Sequence, residues 1–340
     1  MAVTIKDIAA KAGVSRGTVD RALHNRKDVN PEVAKRIRRI VDAMGYIPNR
    51  AGKALAARKQ PIRFGCLLPD KDNPFFTDVI KGFRRAEAEL KDYGVSVELI
   101  HIRGFDVQTH IAAIKKAAKK RYKGMCITTL DLPEVQREVF ALTQGGTSVV
   151  SVNTDIPDSG RICYVGTDYK KAGYTAAGML SLITKEKQKL LIVSGSFHIR
   201  GHNDRIKGFC TGLAEHGIAY EIIKTVEAFD SNEDSYILTH TILSKHPEIT
   251  GVFVVAGGVP GVYRAIKELG RSSIVPLVFD DLPEIKKIIK EGGIGFTICQ
   301  EPETQGYIGI MRLFGYLMEE GKKLPDDYIT QTIIKIAGNI

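Results

Sequence analysis

The sequence predicts a small all-α headpiece followed by a large α/β region, and three observations predict it. The first 45 residues hold three short helical patterns, the first two separated by a glycine turn. Cations crowd the same end: residues 1–60 carry 14 Lys and Arg against 5 Asp and Glu, which leaves the other 280 residues only about +1 of the total +10. From residue 61 onward, short apolar runs alternate with amphipathic stretches, the pattern of parallel sheets covered by helices on both faces.

The first helix covers 5–12, with Ile8, Ala9 and Ala12 at helical spacing and Thr4 with Asp7 placed as a capping box. Gly13 turns the chain, and Ser15 is positioned to cap a second helix. At about 100° per residue, Arg16, Gly17, Asp20, Arg21 and His24 fall within an arc of roughly 140°, with Val19, Ala22 and Leu23 opposite. Helix, tight turn, and helix with a polar outer face is the helix-turn-helix pattern that reads DNA. A basic segment on the same residues favours a polyanion, because each phosphate it neutralises releases counterions.

Asn30 and Pro31 then start a third helix as cap and first-turn residue, with Val33, Ile37, Ile40, Val41 and Met44 on one face and Gly45 ending it. The next stretch, 46–60, is rich in helix formers but has few apolar anchors, so a linker that becomes helical on docking is expected.

In the α/β region, strands are expected at 62–68, 95–102, 125–129, 148–152, 162–165, 190–193, 222–226, 252–255, 274–279 and, at the tail, 329–336. Helices lie between them, one of them basic-faced at 107–120. No G-x-G-x-x-G or P-loop sequence occurs, so no nucleotide cofactor is expected. Five scattered cysteines, Cys66, Cys126, Cys163, Cys210 and Cys299, show no metal-ligand spacing and read as free thiols of a reducing compartment. Without a signal-peptide core or an apolar run of about 18 residues, a cytoplasmic location with no membrane contact is expected.

The TIKDIAAKAGVS start, the TVDRALHN helix and the YIPNRAGKALAARK linker resemble the LacI/GalR family of bacterial transcription regulators. That resemblance implies a DNA-binding domain at 1–45, a hinge helix at 46–60 and an effector-binding and dimerisation domain at 61–340. The latter has the periplasmic-binding-protein type I fold of two Rossmann-like lobes, 62–161 with 292–320 and 162–291 with 322–340. It also implies a homodimer on double-stranded operator DNA, with Leu55 wedged into the central base step, Ala56 beside it and Lys53 near phosphates. Arg16 and Arg21 are assigned to base readout, since arginine bonds guanine O6 and N7 together. Gly17 permits close approach, and Asp20 orients an arginine or accepts from cytosine. Thr18, Lys35 and Arg50 are assigned to phosphates, and Thr4, Ser15, His24 and Asn25 complete the DNA-contacting set. No heptad follows the tail strand, so no coiled-coil tetramer is expected.

Polar groups at strand ends are the candidates for gripping a small sugar or polyol, whose hydroxyls need partners on leaving water. They are Asp131, Asn153, Asp155, Asp168, Asp280 and Gln300, with Arg205 in a sequence resembling the family's R-x-x-G signature. Phe75 and Phe76 are expected to split between core and cleft, and Phe229 is a further candidate. Asp and Asn at such junctions also serve as helix caps, so each carboxylate has a second reading. The chain departs from the family's C-A-N-D sequence, reading Ala256, Gly257, Gly258, Val259 instead; Asp230 and His202 are placed to compensate. A transporter's solute-binding protein and an enzyme acting in the cleft are the other function classes, although no nucleophile triad or metal cluster is readable.

Overall fold

The computed structural model of the chain describes residues 3, 5–23, 29–44, 61–69, 73–319 and 323–340. The chain divides into two compact units, one holding the headpiece and the other Arg63–Glu89, Val97–Leu317 and Lys323–Ile340.

The headpiece has three helices: α1 (Ile5–Ala12), α2 (Arg16–Leu23) and α3 (Pro31–Ala43). Ile8, Ala9, Ala12, Val19, Ala22 and Ile37 form its core. Gly13 takes the left-handed turn at φ 64° that the sharp bend between α1 and α2 requires. Asn30 caps α3 by accepting from the Glu32 amide at 2.9 Å, with Pro31 in the first turn. Arg36 donates to the Ala12 carbonyl at 2.9 Å, tying α3 to the end of α1.

The α/β unit contains two main sheets. The first has the order β11-β5-β4-β3-β1-β2, built from β1 (Ile62–Pro69), β2 (Val95–Ile102), β3 (Gly124–Ile127), β4 (Ser148–Asn153), β5 (Cys163–Thr167) and β11 (Tyr328–Thr330). The second has the order β7-β6-β8-β9, from β6 (Gln188–Ser194), β7 (Tyr220–Glu227), β8 (Gly251–Val254) and β9 (Val275–Leu277). In each sheet the neighbours β1/β3, β3/β4, β4/β5, β5/β11, β6/β7, β6/β8 and β8/β9 run parallel. Strands buried on both faces need apolar residues throughout, which is why these runs are nearly continuous rather than alternating. Successive residues nonetheless part company: Leu191, Val193, Val252 and Val254 enter one core, while Leu190, Ile192, Phe253 and Val255 enter the other.

The helices are α4 (Phe75–Glu89), α5 (Val107–Lys119) and α6 (Pro133–Gln144) in the first lobe, then α7 (Tyr169–Ile183), α8 (Arg200–Glu215), α9 (Asn232–Lys245), α10 (Val259–Glu268) and α11 (Pro283–Lys290) in the second. Helix α12 (Pro302–Met318) returns to the first lobe. There Gly306 sits so close to α4 that a Cβ would lie 2.0 Å from the Val79 carbonyl oxygen.

The expected lobe boundaries are displaced. β5 belongs to the first sheet, so the chain crosses after Thr167 rather than at 161. β10 (Thr297–Cys299) bridges to Phe279 on the second side, so the return crossing follows Cys299 instead of 291. The single tail strand expected at 329–336 is two: β11 pairs with β5, and β12 (Ile333–Lys335) pairs antiparallel with β10. All three corrections have one cause: a strand's apolar pattern does not say which sheet it joins.

Candidate functional site

In the headpiece, Ser15 caps α2 by accepting from the Thr18 amide at 3.0 Å, and its hydroxyl also lies 2.8 Å from Thr18 Oγ1. Thr18 in turn accepts from Arg21 Nη2 at 3.5 Å and is half-buried. Arg16 and Gly17 are exposed, Asp20 and Arg21 half-buried, and Val19 and Ala22 buried, as the two-faced pattern requires. Lys35 is exposed on α3. Thr4, His24, Asn25, Arg50, Lys53, Leu55 and Ala56 lie outside the described residues.

The second site is built around Arg205 on α8. α7 and α8 touch backbone to backbone, because a Cβ on Gly208 would lie 1.9 Å from the Lys170 carbonyl oxygen and one on Gly173 2.0 Å from that of Arg205. This close approach fixes Arg205 against the carboxyl ends of the second sheet. Its side chain is 2% exposed, Nη1 donates to the Val255 carbonyl at 2.5 Å, and the guanidinium lies 3.7 Å from the Phe279 ring centroid and 4.8 Å from that of Tyr169. Arg205 Nε and Nη2 are buried with no hydrogen-bond partner among the described residues.

Acceptors surround these donors. Asp280 follows Phe279 and accepts from Gln300 Nε2 at 2.9 Å. Gln300 passes the network to the first lobe, its carbonyl accepting from Gln305 Nε2 at 2.7 Å, while Gln305 Oε1 accepts from Asn153 at 3.3 Å. Asp230 accepts from the Gly257 amide at 3.1 Å and, across the lobes, from Asn73 Nδ2 at 3.3 Å. A Cβ on Gly257 would lie 2.8 Å from that of Asp230, so the glycine in place of the family's asparagine is what admits this carboxylate. Burial raises the carboxyl pKa of both Asp230 and Asp280, with Arg205 pulling the other way. Burial likewise lowers that of Arg205. His202 is held neutral, since burial and the nearby Arg205 push its pKa down to about 3.

Backbone strain marks the same place. Asn153, Phe229, Asp230 and Asp280 are four of the seven described non-glycine residues with left-handed φ, and all stand at or just beyond strand ends around this cluster. Such residues are costly and are retained where the surrounding structure over-determines them, as at binding sites.

The remaining candidates go elsewhere. Asp168 caps α7 by accepting from the Lys171 amide at 2.9 Å, and Asp155 accepts from Arg161 and Ser151, each at 2.8 Å. Both serve local structure, and neither enters the Arg205 network. Asp131 stands at the rim, held by Gln136 at 2.7 Å and facing Arg200 of the other lobe at 3.5 Å. Phe75 and Phe76 meet edge to face with centroids 5.2 Å apart, and both are buried, so exposure does not divide them as expected. Phe229 is half exposed, its ring 5.8 Å from that of Phe105. Tyr169 and Gln305 were not singled out from the sequence, because nothing distinguishes a cleft-facing Tyr or Gln on a helix from a core one.

Comparison with known proteins agrees with this arrangement. Residues 64–323 match the periplasmic binding protein domain, and residues 4–49 match the bacterial regulatory proteins of the lacI family. The ribose operon repressor of Bacillus subtilis is 26% identical over 303 residues, covering 83% of this chain and 82% of the repressor. Among solved structures, the glucose-galactose binding protein GanP of Geobacillus stearothermophilus superposes with a TM-score of 0.76 at 28% identity, covering 83% of this chain and 99% of its own. A transporter solute-binding protein of Burkholderia graminis in complex with D-arabinose gives 0.76 at 25%, covering 82% and 96%.

Proposed function

Because the chain belongs to the lacI family of bacterial regulatory proteins and carries the periplasmic binding protein domain behind its headpiece, we propose that it is a repressor whose operator affinity is set by a monosaccharide bound between the two lobes. The observation that carries the ligand class is the pairing of donors and acceptors around Arg205. Two guanidinium nitrogens with no partner among the described residues stand beside the Asp230 and Asp280 carboxylates. A sugar hydroxyl accepts from the first and donates to the second, so vicinal hydroxyls satisfy both at once. A ring face then lies against the aromatic side chains, Phe229 among them. The sugars named for the relatives, ribose, arabinose, glucose and galactose, are of this class.

In this reading, sugar binding closes the lobes about three crossovers, after Thr167, after Cys299 and between β11 and β12, and alters the entry to β1, where the linker from the headpiece arrives. A homodimer sets two α2 helices in successive major grooves, about 34 Å apart. The transporter-protein reading lacks any use for the basic headpiece, and turnover of a bound sugar is the observation that would favour an enzyme. Thermal-shift measurements against D-ribose, D-arabinose, D-glucose and D-galactose test the ligand class; a sugar at 100 times its Kd raises stability by about 2.7 kcal/mol. Operator selection from random duplexes tests the DNA half. No shift with any sugar overturns the first, and no selected palindrome overturns the second.

A further inference from the structure

A cationic cluster on the first lobe plays no part in the sugar site. The stretch from Lys115 to Lys123 holds six cations in nine residues and no acid. Two are neutralised: Lys115 pairs with Glu138 at 3.2 Å, and Lys120 pairs with Glu98, which also binds Arg63 at 2.9 Å. Lys116, Lys119, Arg121 and Lys123 are exposed, and no carboxylate of the described residues pairs with them. Arg121 is moreover held in the left-handed region at φ 51°. The chain therefore keeps four charges facing water within eight residues, in a region, 61–340, whose 35 cations and 34 acids nearly cancel.

Their place in the sheet gives the cluster its meaning. In a parallel sheet every strand starts at the same edge, and α5 delivers the chain to the start of β3 at that edge. The Lys123 amide donates to the Arg63 carbonyl at 3.0 Å. Arg63 is the third residue after position 60, where the linker ends, so at about 3.3 Å per residue the Lys123 end of the cluster is paired with chain roughly 10 Å from the linker's arrival. The edge that receives the tether from the DNA-binding headpiece is the edge that carries the unpaired cations.

We propose that Lys116, Lys119, Arg121 and Lys123 form a second DNA-contacting surface, on the effector domain itself, which binds backbone phosphates of the duplex flanking the operator. This rests on the repressor reading above. Such contacts carry no sequence information, because they meet phosphate and sugar only. They release counterions, so each steepens the salt dependence of binding by about 0.9 in the slope of log K against log salt. Operator and random DNA gain alike, and only duplexes long enough to reach the cluster gain at all.

The test uses the full chain and fluorescence anisotropy with its selected operator, in a short duplex and in one extended at both ends, from 50 to 300 mM KCl. The variant K116Q/K119Q/R121Q/K123Q is compared with K185Q/K224Q/K245Q/K267Q, which removes the same charge from exposed positions of the second lobe. The expected result is a slope shallower by roughly 2–4 for the first variant on the extended duplex only, with about tenfold weaker binding at 100 mM salt and an unchanged thermal shift with sugar. Coincident slopes for the two variants overturn the proposal. Wild-type protein that binds no duplex fails the repressor reading instead, so the two failures are told apart.

Discussion

The guanidinium of Arg205 lies against the ring of Phe279, 3.7 Å from its centroid, with Nη1 bonded to the Val255 carbonyl and Nε and Nη2 without a partner among the described residues. A buried cation left half unsatisfied is costly, and the cost is recovered when a ligand arrives. Arg205→Met keeps the volume and removes the charge. The expected outcome is an unliganded protein less stable by about 3–5 kcal/mol at neutral pH, because the buried Asp230 and Asp280 lose their cation, with the sugar-induced thermal shift abolished. A calorimetric scan with and without sugar reads both; a sugar-induced shift retained in the variant would overturn this account of Arg205.

Gly257→Ala tests the niche that holds Asp230. The added methyl meets the Asp230 side chain at 2.8 Å, so the carboxylate must leave both the Gly257 amide and Asn73. Overpacking of this kind costs about 1–3 kcal/mol, read as a lower urea midpoint. Sugar affinity should drop with it, measured by titration calorimetry. An unchanged affinity would place Asp230 outside the site.

The strands of both sheets and the apolar face of each headpiece helix were legible in the sequence, because periodicity and β-branched runs report burial directly. The lobe boundaries were not, since Cys163–Thr167 and Tyr328–Thr330 look the same whichever sheet they join. Arg205, Asp280 and Gln300 do meet; the strand-end rule points to Asp280 and Gln300, and the R-x-x-G resemblance to Arg205. Asp155 and Asp168 obey that rule equally well and turn out to hold Arg161 and to cap α7. Residue type and position cannot separate a cap from a ligand; only the direction of the side chain does. Asn153 and Gln305 joined the network through a side chain 152 positions away, a distance no local pattern spans.

His202 makes acid sensitivity measurable. Its pKa of about 3 in the folded chain lies below the ordinary 6.5, so between these values the unfolded chain binds a proton that the folded one refuses. Stability should therefore decline as pH falls from about 6.5, by roughly 1.4 kcal/mol per unit from this group. Asp230 and Asp280, raised by burial, contribute the opposite slope in wild type and variant alike. Urea denaturation at pH 4.5 to 7 should show the decline reduced in His202→Asn; parallel curves would refute the assignment.

In the headpiece, two substitutions one residue apart should separate folding from reading. Ser15→Ala removes the cap bond to the Thr18 amide and should cost about 0.5–2 kcal/mol, lowering affinity for operator and random DNA together. Arg16→Ala, at an exposed position, should leave the thermal midpoint within about a degree and lose about 1–3 kcal/mol of preference for the selected operator. Equal losses on operator and random DNA would move Arg16 to the phosphate backbone.

The three crossovers have a consequence for how such a gene can change. The headpiece is one uninterrupted segment, so recombination can exchange it whole and redirect the regulator to another operator. Neither lobe is: its strands are drawn from stretches as far apart as β1 and β11, and no single splice removes one and leaves the other folded. New operators are therefore open to acquisition by gene fusion, whereas a new ligand must be reached by point changes within the cleft.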